Sequence, residues 1–221
     1  VWIVTFGANE TIMANSIAVD SLGDVAIAGS FEGQVDFDPG PGTTLLTAQG
    51  TAVFVLKIDS SGNFLWVRST SLQSGSTMWS MAFDVEVDAA DNVHVLGAFT
   101  GSVDFDPGVG VAGLSTFFLP DAFVWKLDAA GNLVWVRQWS AFAFGMDRMA
   151  VDAGGEIYLT GGYLAGFDFD PGPGVHVLPA PTGTTGMFVC RLNPLGDLVW
   201  ATAIDADTGT SIAVGGGAIY I

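Results

Sequence analysis

The chain has 221 residues, half of them hydrophobic, and a formal charge of −17 from six Lys and Arg against 23 Asp and Glu. That balance repels nucleic acid and anionic membrane surfaces and makes a cation the more natural partner. No apolar run approaches the ~20 residues that a membrane helix needs, which excludes membrane insertion within this segment and points to strands buried on both faces.

In chain order, Trp2-Ile3-Val4-Thr5 reads as a strand that matches later segments around Trp66, Trp135 and Trp200. The chain thus opens with the last strand of an incomplete unit, followed by a polar loop. A hairpin comes next: Ile17-Ala18-Val19-Asp20, a turn with Gly23, then Val25-Ala26-Ile27-Ala28-Gly29. A second hairpin runs from Val53 to Ile58 across Asp59-Ser60-Ser61-Gly62-Asn63 into Phe64-Leu65-Trp66-Val67. The same four strands return twice, at 85–88, 93–97, 123–128 and 133–137, and at 149–152, 157–161, 188–193 and 198–202. A fourth copy opens at Ile212-Ala213-Val214-Gly215, with Gly215 where the others carry Asp20, Asp88 and Asp152. No useful stretch has a helical period.

Between the two hairpins of each unit lies an acidic turn: Val35-Asp36-Phe37-Asp38-Pro39-Gly40, Val103-Asp104-Phe105-Asp106-Pro107-Gly108 and Phe167-Asp168-Phe169-Asp170-Pro171-Gly172. Its spacing sets a period of about 65 residues, longer than the ~40–50 of familiar propeller repeats. A sheet with two apolar faces needs a neighbour on each side, and a radial array supplies both. The fold class expected is therefore all-β: a β-propeller of four-stranded blades, with three complete blades and two partial ones. The units are residues 1–7, 8–71, 72–140, 141–205 and 206–221, in one domain. Both ends cut through a unit, so the expectation is an excerpt of a longer chain.

The unit Ala-Val-Asp…Gly-Asp-Val…Gly-Ser-Phe…Val-Asp-Phe-Asp-Pro-Gly…Phe-Val-Leu-Lys-Ile-Asp-Ser-Ser-Gly-Asn-Phe-Leu-Trp resembles the bacterial β-propeller repeat family called SBBP, over essentially the whole chain. The resemblance implies a bacterial secreted or cell-surface protein, often large and multidomain, with no established common activity. It transfers architecture and little else.

On an extended chain the paired aspartates share one face and the phenylalanine takes the other. Two anions at ~6–7 Å are comfortable only beside positive charge. The repeat-matched Lys57, Lys126 or Arg191 is one source of it. A Ca²⁺ held by carboxylates and turn carbonyls is the other, with Asp36, Asp38, Asp104, Asp106, Asp168 and Asp170 as metal ligands. Asp before Pro-Gly is also sound turn chemistry by itself, and the spacing does not match an EF-hand loop.

Trp2, Trp66, Trp135 and Trp200 recur at one repeat position and read as packing between blades. Trp79 and Trp139 fall in connecting segments, which makes them the better ligand candidates. Cys190, within an apolar run, reads as a buried small hydrophobe. His94 and His176 sit at unmatched repeat positions with no nucleophile motif beside them, and Glu10, Glu32, Glu86 and Glu156 are scattered. No catalytic residue and no organic cofactor stands out. The function expected is a non-catalytic extracellular or cell-surface scaffold or binding module. Its partners are a protein or glycan at the cell surface and further blades of the same polypeptide or assembly. The alternative is a carbohydrate-active hydrolase or lyase whose axial site is completed by missing blades. A non-repeating acid or His beside an open pocket would favour the enzyme, and the differing loops 43–50, 109–120 and 175–186 favour recognition.

Overall fold

The computed structural model describes residue 3 and residues 11–72, 79–116, 119–140, 145–204 and 211–221. The expected strand around Trp2, and Glu10, lie outside them. Strands β1 (Ile12–Val19), β2 (Val25–Asp36), β3 (Leu45–Ile58) and β4 (Phe64–Ser69) pair in that order as an antiparallel meander, the first sheet. The two-residue β5 (Ser71–Leu72) follows. The second sheet is β6 (Trp79–Val87), β7 (Val93–Thr100), β10 (Asp121–Leu127) and β11 (Leu133–Trp139), with β8 (Ser102–Asp104) and β9 (Gly113–Ser115) set between its middle strands in sequence. The third is β12 (Met146–Val151), β13 (Ile157–Tyr163), β14 (Gly186–Leu192) and β15 (Leu198–Ile204). A last hairpin joins β16 (Ala213–Gly215) to β17 (Ala218–Tyr220). The described chain is all-β in several sheets, without a helix, as a propeller-like fold requires.

Burial follows strand position. The middle strands β7, β10, β13 and β14 are covered on nearly every residue, which is why their sequences run apolar without alternation. The fourth strands alternate instead, leaving Leu65, Val134 and Val199 to solvent. The sheets stack face to face. Ala26, Ala28, Val53 and Val55 of the first share a core with Val85, Val93, Val95 and Trp125 of the second. Leu96 and Val124 of the second meet Met149, Leu159 and Cys190 of the third. The first strands β1, β6, β12 and β16 lie beside one another in succession.

Two local devices shape each sheet. The first strand bulges after Ala14, Ala82 and Met146. This drives the carbonyls of Met13, Met81 and Gly145 into the space where residues 29, 97 and 161 would carry a Cβ. Glycine at Gly29, Gly97 and Gly161 is the answer to that contact. The first and last hairpin turns of each of the three sheets are held by an Asp or Asn whose Oδ1 accepts N–H groups two and four residues on, as Asp59 does from Ser61 and Asn63 at 2.8 Å each.

The acidic segment is more ordered than a loop. The first sheet runs on through it, pairing Val35 with Leu46 and Asp36 with Leu45, so the loop expected at 43–50 lies largely inside β3. In the second unit the same excursion is β8 paired with β9, with β5 added along its edge. In the third it shrinks to a single bridge between Asp168 and Val177. Trp79 and Trp139 correct the sequence reading as well. Both belong to strands, and Trp139 is 1% exposed with its indole N–H on the Phe169 carbonyl at 3.0 Å, so its ring is closed to a ligand.

Candidate functional site

The six candidate metal ligands fall into three pairs with the same hydrogen bonds. The first aspartate spans its loop: Asp36 Oδ1 accepts the amides of Asp38 at 3.1 Å and Thr44 at 2.8 Å. Asp104 does the same for Asp106 and Ala112, and Asp168 for Asp170 and His176. The second aspartate closes the Pro-Gly step, with Gly40, Gly108 and Gly172 donating to Asp38, Asp106 and Asp170 at 2.7, 2.7 and 2.8 Å. Its Oδ2 lies against the α-carbon of Gly42, Gly110 or Gly174, where a Cβ would collide with it. The motif is thus Asp-Pro-Gly-x-Gly, and its second glycine is the one the carboxylate presses closest.

Between the aspartates the phenylalanine turns inward. Phe37, Phe105 and Phe169 are fully buried, each packed against aromatics of its own sheet. Phe37 stands 5.2 Å from Phe31 and 4.8 Å from Phe54, Phe105 5.4 Å from Phe99 and 4.9 Å from Phe123, and Phe169 5.7 Å from Tyr163 and 4.8 Å from Phe188. Such a triad anchors the turn from below. Backbone amides therefore bind one oxygen of every aspartate, while the Oδ2 atoms have no hydrogen-bond partner among the described residues. No group of three or more His, Cys, Asp or Glu side chains is gathered at metal-binding distance among those residues.

The proposed counter-charges go elsewhere. Lys57 pairs with Asp20 at 2.7 Å, Lys126 with Asp88 at 3.2 Å and Arg191 with Glu156 at 2.8 Å. The reason is register: these cations stand on the third strand two positions from its hairpin, beside the capping aspartate of the first strand, at the opposite end of the sheet from the acidic turn. Burial alone would raise Asp20, but Lys57 and the turn amides bring it below its ordinary value.

The second sheet breaks the pattern. Glu86, His94, Lys126 and Trp135 are directly paired across its four strands and so share one face. The equivalent rows are Ala18, Ala26, Lys57 and Trp66 in the first sheet, and Ala150, Tyr158, Arg191 and Trp200 in the third. His94 is fully buried, with Nε2 3.1 Å from Asp88 Oδ2. Burial lowers its pKa and keeps the ring neutral. Burial also penalises the Asp88 anion, yet bonds from His94 and Asn92 hold its carboxyl far below the usual range. Glu86, half-buried beside Asp84, is pushed up to about 7, chiefly by burial. A comparison of the three copies reveals this row in the sequence, since Glu86 stands where the others carry alanine and His94 where they carry Ala26 and Tyr158.

The tryptophans join sheets. Trp66 Nε1 donates to the Ala129 carbonyl, and Arg68 to those of Ala130 and Gly131, all in the second turn of the next sheet. Trp135 and Arg137 repeat this on Pro194, Leu195 and Gly196. Each guanidinium also covers its tryptophan, at 5.5 and 5.4 Å. An open cleft of about 630 Å³ lies beside the second of these clamps, lined by Arg137, Gln138, Asp168, Asp170 and Asp197 among others. Cys190 is fully buried and its thiol is pushed up to about 12 by that burial.

No family model matches the chain. It is 26% identical over 233 residues to an uncharacterized WD repeat-containing protein, L264, of Acanthamoeba polyphaga mimivirus. The match covers 91% of this chain and 16% of that protein, so the chain corresponds to a small part of the viral one. Among solved structures it is similar to a protein of unknown function from Bacteroides caccae, at 13% identity and a TM-score of 0.24, over 91% of this chain and 86% of the other.

Proposed function

We propose that the chain is a run of β-propeller blades of the SBBP type, repeating about every 65 residues, and that it acts as a non-catalytic scaffold or binding module on a secreted or cell-surface protein. The observation that carries this reading is the recurring junction, Trp66 and Arg68 on the turn at 129–131 and Trp135 and Arg137 on the turn at 194–196. One unit grips the next by backbone carbonyls, which any unit offers. The similarity to a WD repeat-containing protein supports a repeat scaffold. The non-repeating His94 is sealed from solvent, so it is not an exposed imidazole for the hydrolase or lyase alternative.

Recognition of a protein or glycan would fall to the acidic-turn side, where the cleft of about 630 Å³ offers carboxylates and one guanidinium. Incubating the chain with a panel of polysaccharides distinguishes the classes: a scaffold retains some without new reducing ends or unsaturated products, and release of either product would defeat the reading.

One calcium ion per acidic turn is a further element of this proposal. It rests on the Oδ2 atoms of Asp36 and Asp38, Asp104 and Asp106, and Asp168 and Asp170, which the turn amides leave unbonded. Hard oxygen ligands suit Ca²⁺, with turn carbonyls and water completing a shell of about 6–8 oxygens. Calcium should raise Tm relative to chelator by several degrees, on the order expected for a ligand that binds the folded state, and Asp104→Asn with Asp106→Asn should reduce the shift. An unchanged Tm in calorimetry removes the ion from the proposal.

A further inference from the structure

The row that sets the second sheet apart lies on its contact with the third. Asp84 Oδ2 accepts the Met149 amide of β12 at 3.0 Å, while its Oδ1 accepts the Ser16 hydroxyl of β1 at 2.8 Å. At the other end of the same strand face, Gly155 of the third sheet backs onto Asp88, so near that a Cβ there would lie 3.7 Å from Oδ2. Glu86 stands between these two contacts. We propose that Glu86, His94 and Asp88 form a proton-sensitive latch between the second and third sheets, closed while the Glu86 carboxyl carries its proton and loosened when it gives it up.

The chemistry starts at Asp88. As an anion it only accepts, so His94 Nε2 must carry the hydrogen between them and Nδ1 is left as a bare lone pair. That nitrogen is buried without a partner, an arrangement that costs free energy unless a donor reaches it. The side chain directly opposite His94 in the β6–β7 register is Glu86, and its carboxyl can donate only when protonated. Ionised, Glu86 becomes a third anion on one strand face with Asp84 and Asp88, and no described residue hydrogen-bonds it.

The charged groups around the row leave this balance intact. On β10, Lys126 is committed to Asp88 at 3.2 Å. On β11, Arg137 is spent on the turn carbonyls of the third sheet. On β12, Arg148 is exposed and bonded to the Asp147 carbonyl, and Asp147 is itself raised by burial. On the other side of β6, Asp20 and Lys57 are closed on each other and Glu32 is exposed. A carboxyl held above its ordinary value in the folded state gives stability that is full below that ordinary value and lost as pH rises through about 7. Neutral His94 adds the opposite limb, lost on acidification through its lowered pKa.

The test is the amide-exchange protection factor of Met149, whose N–H bridges the junction, in the whole chain. From about pH 5.5 to about pH 8.5 it should fall at least about tenfold in the native protein, and stay level in both Glu86→Ala and Glu86→Gln. Alanine occupies this place in the first and third sheets, so the variant has two precedents, and the glutamine variant serves if it misfolds. Asp147→Asn should leave the fall in place. A level profile in the native protein, a fall retained in the Glu86 variants, or a fall abolished by Asp147→Asn overturns the latch.

Discussion

Glycine shows most directly how a single residue serves this fold. Gly97 faces the Met81 carbonyl and the Phe123 ring so closely that Gly97→Ala must displace backbone. The variant is expected to lose about 1–3 kcal/mol, the range of overpacked sites, in urea unfolding. At Gly172, by contrast, the neighbour is a carboxylate oxygen at 3.0 Å that can rotate, and the loss should be smaller. Asp91 runs the other way. At φ 60° it takes the left-handed turn position that Gly23 and Gly155 fill in the other sheets. Its carboxylate then binds the amide and hydroxyl of Ser21 in the preceding sheet, both at 3.0 Å. The strain of a non-glycine residue is exchanged for a tie between sheets.

Within the sheet, the buried ion pair decides more than the surface charges do. Lys57 and Asp20 have side chains 4% and 1% exposed, so removing one partner strands the other charge away from water. Lys57→Met is therefore expected to cost about 3–5 kcal/mol, whereas adding Asp20→Asn should restore most of it. Asn keeps the Oδ1 that caps the Leu22 and Asp24 amides, so the rescue isolates the charge from the turn. Equilibrium denaturation of the single and double variants checks both. The sequence offered these cations to the acidic turn because spacing along the chain says nothing about which end of a sheet a residue reaches. Antiparallel pairing puts residue 57 beside residue 26 and the first-strand cap, far from residue 36.

At the scale of the molecule, stability is shared through junctions. The two clamps use the same atoms on the same kind of turn, and they resemble the nearest-neighbour terms of a repeat array. Arg137→Ala removes charge-assisted bonds to Leu195 and Gly196 at 2.7 and 3.2 Å. It should cost about 1–3 kcal/mol and, more tellingly, separate the melting of the third sheet from that of the first two. A single coincident transition by fluorescence and circular dichroism would show that the clamp does not carry the coupling.

The repeated strands and turns, and the phenylalanine of each acidic motif on the face opposite its aspartates, were legible because periodicity and turn chemistry are local properties. The Asp-x-Asp pair was legible as a feature, but its hydrogen bonds to amides eight residues away were not. Neither were the arms that extend the hairpins around it. Partnership was decided by the tertiary structure alone. It placed Lys57 on Asp20, closed Trp139 into the core and sealed His94 between Asp88 and Lys126 at the junction of two sheets. A linear chain records which residues repeat. Which of them meet depends on strand register and on how one sheet is laid against the next, and those are fixed only when the apolar faces are buried together.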